Sequence, residues 1–225
     1  GGNHNHDPAT EGEWNARVDA ALQALYEWLP VRRTSANPRS NYRSFRLGNL
    51  AEVIMLESRL LARPAEATPL IAVPGIPGGA YTQSGEFADP SRSLLGPEQE
   101  QWLFDTLRGT PAKWKILGQQ TMFAQFKLVG APNATGASVY LNTDQWDGYG
   151  PARERVMAAL AGGNGQPKVN NVVVLAGDIH SAWANDVTPD PNNPLAYNTQ
   201  SGEGSLAVEF VGTSITSPAL EFLAS

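Results

Sequence analysis

Residues 171–180 read Asn-Val-Val-Val-Leu-Ala-Gly-Asp-Ile-His, and this stretch decides how the rest of the chain is interpreted. The apolar run 172–176 is typical of a strand that is buried on both faces in the middle of a sheet. Gly177 then allows the backbone to turn, and Asp178 and His180 follow it two positions apart. The sequence therefore predicts a central strand whose carboxyl end carries one carboxylate and one imidazole.

An aspartate and a histidine at a strand end allow two interpretations. A carboxylate oxygen and an imidazole nitrogen are ligands for zinc, iron and manganese, and a carboxylate can also bridge two ions. Alternatively, Asp178 is a turn residue and His180 makes an orienting hydrogen bond. Because a metal site needs more than two protein ligands, the spacing alone does not decide between these roles.

The composition excludes several classes of protein. The 225 residues are 41% hydrophobic and 17% charged, which suits one large globular domain or two small ones. A net charge of -6 argues against a nucleic-acid partner. No stretch reaches the ~18 apolar residues of a membrane span, and the first residues given do not show the pattern that predicts a signal peptide. The absence of cysteine excludes thiolate ligands, disulfides and a cysteine nucleophile.

Periodic patterns predict an α/β arrangement of alternating helices and strands. Three helices are expected, from Glu11 to Leu29, from Pro97 to Gly109 and from Pro151 to Leu160, the first with a capping box at Thr10 and Glu13. Besides the central strand, the expected strands are a hairpin from Phe45 to Glu57 that turns at Gly48-Asn49, a strand from Trp114 to Leu117 and a last strand from Leu206 to Val211. Segments 64–92 and 188–204 are rich in Pro, Gly or Asn and are expected to be irregular.

Several blocks of sequence occur in an order that carries a resemblance. They are Glu11 to Trp14 with Tyr26 to Arg32, Met55 to Arg63, Arg92 to Gln99 with Trp102-Leu103, Trp114 to Gln120, Asp144 to Tyr149 with Arg153, Gly177 to His180, and Val208 to Ile215. Each block is weak by itself, but together they cover almost the whole chain. In this order they resemble the PhoD-type alkaline phosphatases of the metallophosphatase superfamily.

The resemblance implies a fold, a reaction and a set of metal ligands. It implies a helix–sheet–sheet–helix sandwich, of which residues 1–225 would form the C-terminal portion. It implies hydrolysis of a small phosphate ester, as phosphomonoesterase ahead of phosphodiesterase or phospholipase D-like activity, at a site with two metal ions, iron and calcium. Asp178 and His180 would be metal ligands, and the protein would be periplasmic or secreted. The oligomeric state stays open.

Four further residues are candidates for contact with the substrate. The guanidinium of Arg59, with that of Arg63, matches the geometry of a phosphate group, although surface or ion-paired arginines are an equal alternative. Asp147 and Tyr149 would line the cleft; alternatively, Asp147 caps the helix that follows and Tyr149 packs in the interior. Glu209 faces away from Val208 and is either solvent-facing or paired.

One expected motif is missing. The resemblance implies an early metal-binding aspartate and an Asp-Asp-His-Glu sequence, and neither occurs here. The segment 2–5, Gly-Asn-His-Asn, has asparagine where related phosphoesterases have an acid, so His4 and His6 are interpreted as loop residues. We therefore expect the C-terminal two thirds of a phosphatase or a truncated reading frame, with one sheet face left exposed. The alternative to an active enzyme is a catalytically incomplete fragment that binds metal weakly.

Overall fold

The structure is a computed structural model that describes residues 6–68, 70–73, 76–127 and 139–217. The helices in these ranges are Pro8–Glu11 (α1), Trp14–Trp28 (α2), Pro97–Gly109 (α3) and Gly150–Ala161 (α4), with 3₁₀ turns at Gly85–Ala88 and Trp146–Tyr149. The strands are Arg43–Leu47 (β1), Ala51–Met55 (β2), Ile71–Val73 (β3), Ile76–Ala80 (β4), Trp114–Gly118 (β5), Val172–Ala176 (β6), Trp183–Val187 (β7) and Ala207–Val211 (β8). None of the described helices has the length and apolar character needed to cross a bilayer.

Six strands form the main sheet in the order β1-β2-β5-β6-β8-β7. The pairs β2–β5, β5–β6 and β6–β8 are parallel, so these strands end at the same edge of the sheet. The two edge strands of the sheet, β1 and β7, pair with their neighbours β2 and β8 in antiparallel orientation. The predicted α/β class and the internal position of β6 are confirmed.

Among the described residues only one face of this sheet is buried, so the prediction that β6 is covered on both faces was wrong. Val172 and Val174 lie in the core, whereas Leu175, on the opposite face, is 44% exposed. Helices α3 and α4 pack on the buried face. The core includes Ile54, Leu117, Val172 and Val174 from the sheet, Leu103 and Leu107 from α3, and Val156, Met157 and Leu160 from α4.

The other face carries large apolar side chains in contact with solvent, and we call it the open sheet face. Its exposed members are Phe45, Leu47, Met55, Trp114, Leu175, Val208 and Phe210. The strand registers place them on one side, because paired residues share a face and alternate residues of a strand return to it. The exposed face that the sequence led us to expect is therefore present in the described residues.

The first helix differs from its prediction. Residues 12 and 13 interrupt it, because Gly12 has a φ of 75° and separates α1 from α2. The capping box at Thr10 and Glu13 does not form: the side chain of Asp7 caps α1 by accepting from Ala9 N, and α2 has no side-chain cap.

The remaining elements follow the sequence with some omissions. The hairpin β1–β2, helices α3 and α4, and strands β5 and β8 are confirmed to within two residues, and the hairpin begins and ends two residues earlier in the chain than predicted. Strands β3 and β4, inside the segment expected to be irregular, were missed because β4 contains a proline and two glycines. Strand β7 was missed because Asn185 and Asp186 are poor strand formers that are tolerated at a sheet edge.

Candidate functional site

An ion-paired cluster lies at the edge of the sheet where the parallel strands end. Arg59 Nη1 donates to Asp144 Oδ2 at 2.7 Å, and Arg59 Nη2 donates to Asp178 Oδ1 at 2.8 Å. Gln145 Nε2 donates to the other oxygen of Asp178, also at 2.8 Å. We call these residues, together with Arg63, the Arg59 cluster. It joins the loop after β2, the segment before the second 3₁₀ turn and the loop after β6.

The two arginines of this cluster differ in exposure. The Arg63 side chain is buried, forms an ion pair with Asp144 and donates to its backbone carbonyl at 2.8 Å. The Arg59 side chain keeps 31% of its surface exposed. Burial acts to lower the pKa of Arg59, but the hydrogen bond and charge of Asp144, with the charge of Asp178, raise it overall. Arg59 is therefore a fixed cation that solvent, and an anion in solvent, can reach.

Glutamine side chains hold the other wall of the cluster. The side-chain oxygen of Gln145 accepts from Met122 N, and Trp146 Nε1 donates to Gln119 Oε1 at 2.6 Å. These bonds tie the segment that carries Asp144 to the loop after β5. Because Gln145 also holds Asp178, one amide side chain fixes the carboxylate relative to two strand ends.

The backbone around Asp178 is held in an uncommon conformation. Asp178 has a φ of 74° and His180 a φ of 58°, in the left-handed region that residues other than glycine rarely adopt. Between them, Ile179 is buried with Met122, Ala124 and Val211 and anchors the turn. Strained residues of this kind are concentrated at functional sites, which supports a role for this turn beyond connecting two strands.

The donors of this site are too few for a metal ion. Both oxygens of Asp178 accept hydrogen bonds from Arg59 and Gln145. Among the described residues, no three His, Asp or Glu side chains are grouped so that they could hold a metal ion. The described part of the chain therefore does not by itself fit a metal centre. That Asp178 and His180 are metal ligands stays a prediction.

The structure places Asp147 and Tyr149 in the interior. Asp147 Oδ2 accepts from Phe126 N at 2.6 Å, and α4 has no side-chain cap, so the alternative that Asp147 caps this helix was wrong. The centre of the Tyr149 ring lies 4.6 Å from the guanidinium carbon of Arg92 and 5.5 Å from the guanidinium carbon of Arg63. Its burial favours the packing role, and substrate contact by Asp147 and Tyr149 stays a prediction.

Burial gives Asp147 a pH-dependent effect on stability. Burial raises the pKa of the Asp147 carboxyl group from 3.8 to about 6, although the positive charge of Arg153 acts to lower it. Because the folded chain holds this proton more tightly, the stabilising contribution is complete below about pH 4 and is lost as the pH rises through 6. The side chain of the Asp147→Asn variant cannot ionise. The free energy of unfolding of this variant, relative to that of the wild type, should therefore be about 2–3 kcal/mol higher at pH 7 than at pH 4.

Urea unfolding of both proteins at the two pH values measures this change. Asp105→Asn, at an exposed position on α3, is the matched control and should show no such pH-dependent difference. A constant difference between Asp147→Asn and wild type across this range would contradict the assignment.

Several residues of the site were missed or placed wrongly by sequence reasoning. Asp144 and Gln145 were noticed as part of a block, but nothing in the sequence pairs them with Asp178. Glu209 is fully buried, so the solvent-facing alternative was wrong. Its carboxylate accepts from Phe123 N at 2.7 Å and Ala124 N at 2.9 Å, and so holds the loop after β5. Its period on β8, opposite to Val208, was the available signal. His4 lies outside the described residues, and His6 is bonded locally to Gly12 O and Arg17.

Comparison with known proteins places these features in a family. The profile of a family described as PhoD-like phosphatase matches residues 1–223. The chain is 39% identical over 204 residues to alkaline phosphatase D of Bacillus subtilis (strain 168), covering 89% of this chain and 31% of that protein. A solved structure described as the structure of PhoD matches with a TM-score of 0.69 and 38% identity, over 88% of this chain and 34% of that chain. The chain thus spans about a third of the length of the relatives that it matches, and not the two thirds expected from the sequence.

Proposed function

Because the chain belongs to the PhoD-like phosphatase family, we propose that it forms part of an enzyme that hydrolyses phosphate esters. The observation that carries this proposal is the Arg59 cluster, where an accessible guanidinium and two carboxylates meet at the carboxyl edge of a mainly parallel sheet. Sites in such sheets lie outside the carboxyl ends of the strands. The accessible guanidinium of the cluster suits an anionic group such as a phosphate ester.

In this proposal Arg59 binds the phosphate group. Its guanidinium has five N–H donors, and those that Asp144 and Asp178 do not use can donate to phosphate oxygens, which orients the ester as well as attracting its charge. Arg63 holds Asp144 from the buried side, and Asp144 in turn fixes the guanidinium of Arg59 at the edge of the sheet. Loss of one such donor lowers kcat/KM by roughly 100-fold in enzymes that stabilise developing negative charge.

Asp178 and His180 would be the contribution of this chain to a metal centre. The family resemblance points to iron and calcium, and a carboxylate suits both ions while imidazole suits iron. When bound, such ions lower the pKa of a water molecule and neutralise phosphate oxygens. The described residues supply two donors, so the other ligands would have to come from outside the described ranges.

The incomplete set of ligands favours a second candidate. The described residues on their own would be a folded but catalytically incomplete unit with weak metal binding. The two candidates predict different results for the isolated chain and for a chain that is joined to the rest of a phosphatase. Hydrolysis of monoesters ahead of diesters and a periplasmic or secreted location are further parts of the proposal that rest on family resemblance.

A chimera tests the proposed function. This chain would replace the matching third of alkaline phosphatase D of Bacillus subtilis, and the product would be assayed with p-nitrophenyl phosphate and bis-p-nitrophenyl phosphate in the presence of calcium and iron. We expect turnover, faster on the monoester. Circular dichroism and gel filtration would establish that the chimera folds, and a folded chimera without turnover would contradict the proposal.

Arg59→Ala in the same chimera should lower kcat/KM by about 100-fold. Arg39→Ala is the matched control, because Arg39 is also a partly exposed arginine in an ion pair, with Asp19 on the surface of α2. Steady-state kinetics of the two variants separate the phosphate-binding role from a general effect of removing an arginine. Equal effects at both positions would remove Arg59 from the site.

A further inference from the structure

We propose that Glu57 is a positioning residue whose buried carboxylate holds the turn that presents Arg59 to phosphate. The turn comprises residues 58–61, which Leu56 and Glu57 separate from the end of β2, and we call it the Glu57 turn. The proposal deepens the proposed function and rests on it only for the identity of the anion, phosphate, that Arg59 binds. The structural part, that one carboxylate fixes the backbone under Arg59, stands on its own contacts.

The carboxylate of Glu57 accepts from three consecutive backbone amides. Its Oε1 accepts from Arg59 N and from Leu60 N, each at 2.9 Å. Its Oε2 accepts from Leu60 N at 3.1 Å and from Leu61 N at 2.6 Å. These amides have no helix or strand partner, since the segment has no regular secondary structure. One side chain therefore supplies the hydrogen bonds that a helix or a sheet would otherwise supply.

Two glutamines fix the position of Glu57 and Ser58. Gln99, on α3, accepts from Glu57 N and donates to Glu57 O, both at 2.8 Å. Gln120, after β5, accepts from Ser58 N at 3.0 Å and from Ser58 Oγ at 2.7 Å. Every backbone amide from Glu57 to Leu61 thus donates to a side chain, and the turn is attached to both the helical layer and the sheet.

This arrangement fixes Arg59 from its backbone. A long side chain such as arginine has several free torsions, so its guanidinium is well placed only if the Cα and the ion-pair partners are both held. Asp144 and Asp178 hold the far end of Arg59, and Glu57 holds its amide. Without Glu57, the three amides would need water as an acceptor, and the Cα of Arg59 would move.

Amide hydrogen exchange on the 225-residue chain tests the structural part. Glu57→Gln keeps the shape but removes the charge and one acceptor oxygen, and should speed exchange at residues 59–61 by about tenfold while α3 and β5 stay protected. Glu100→Gln is the matched control, because Glu100 is an equally buried carboxylate that binds Ser93 and Arg155 instead. Glu57→Ala removes both acceptors; if it does not fold, Glu57→Gln still decides.

Chemical labelling tests the effect on Arg59. Phenylglyoxal modifies accessible arginines, and the rate at Arg59 can be followed by mass spectrometry with and without inorganic phosphate. We expect phosphate to slow the labelling of Arg59 in the wild type and in Glu100→Gln. In Glu57→Gln, phosphate should slow this labelling by no more than half as much. Arg39 serves as an internal reference that phosphate leaves unchanged.

The outcomes separate the two levels of the proposal. Unchanged exchange at residues 59–61 in Glu57→Gln, or an equal rise throughout the chain, would overturn the positioning role. Faster local exchange without any loss of phosphate protection would also overturn it, since Arg59 would then not depend on the turn. If phosphate fails to protect Arg59 in the wild type while local exchange still changes, the proposed function fails and the Glu57 turn remains.

Discussion

Isolated from any further polypeptide, the 225-residue chain is expected to hydrolyse p-nitrophenyl phosphate at no more than about a thousandth of the rate of the chimera, even with calcium and iron added. The physical reason is the number of ligands. Loss of a single residue that orients a metal ligand already costs ~10–100-fold in affinity or activity, and several ligands are missing from the described residues. Two donors cannot hold two ions against water.

The assay needs one positive and one negative control. Alkaline phosphatase D of Bacillus subtilis in the same buffer shows that the metals and the substrate are competent. The Asp178→Ala variant of the isolated chain defines the background. Robust turnover by the wild-type chain that disappears in Asp178→Ala would show that the chain completes a site alone, and would reverse the argument from ligand number.

The open sheet face is expected to make the isolated chain self-associate. Leu175 and Phe210 are directly paired across β6 and β8, and they are 44% and 52% exposed. Burying a large apolar side chain contributes about 1.5–3 kcal/mol, so a contiguous face with several of them favours association at micromolar concentration. The double variant Leu175→Lys/Phe210→Lys should weaken self-association by at least tenfold, since it places two like charges on this face.

Sedimentation velocity over a range of concentrations measures the effect. Leu195→Lys is the control, because Leu195 is 96% exposed but lies in the connection between β7 and β8, away from the open sheet face. Its association constant should match that of the wild type. A wild-type chain that stays monomeric at high concentration, or a control that dissociates as much as the double variant, would contradict the prediction.

The sequence predicted the frame of the fold well, for reasons that are local. The valine run of β6, the proline at the start of α3 and the Gly48-Asn49 turn each carry their own signal. The exposure of Leu175 could not be read in the same way, because a continuous apolar strand is compatible with either one or two covered faces. What covers a strand is decided by other parts of the chain.

The candidate site was predicted only in its separate parts. Asp178, His180 and Arg59 could be selected by residue type and by resemblance to a family. The pairing of Arg59 with Asp144 and Asp178 could not, since it depends on how three loops meet. The role of Glu57 could not be predicted either. No local sequence pattern indicates that a glutamate after a strand will accept hydrogen bonds from three backbone amides.

The Arg59 cluster also has a consequence for how the chain folds. Arg59 and Asp178 are 119 positions apart, Arg59 and Asp144 are 85 apart, and Glu57 and Gln99 are 42 apart. Each contact closes a long loop, so its entropic cost must be met before the contact itself can form. We therefore expect the strands β2, β5 and β6 to pair first and the cluster to assemble among the last events of folding. A probe attached near Arg59 would then report the completion of the native sheet and not its nucleation.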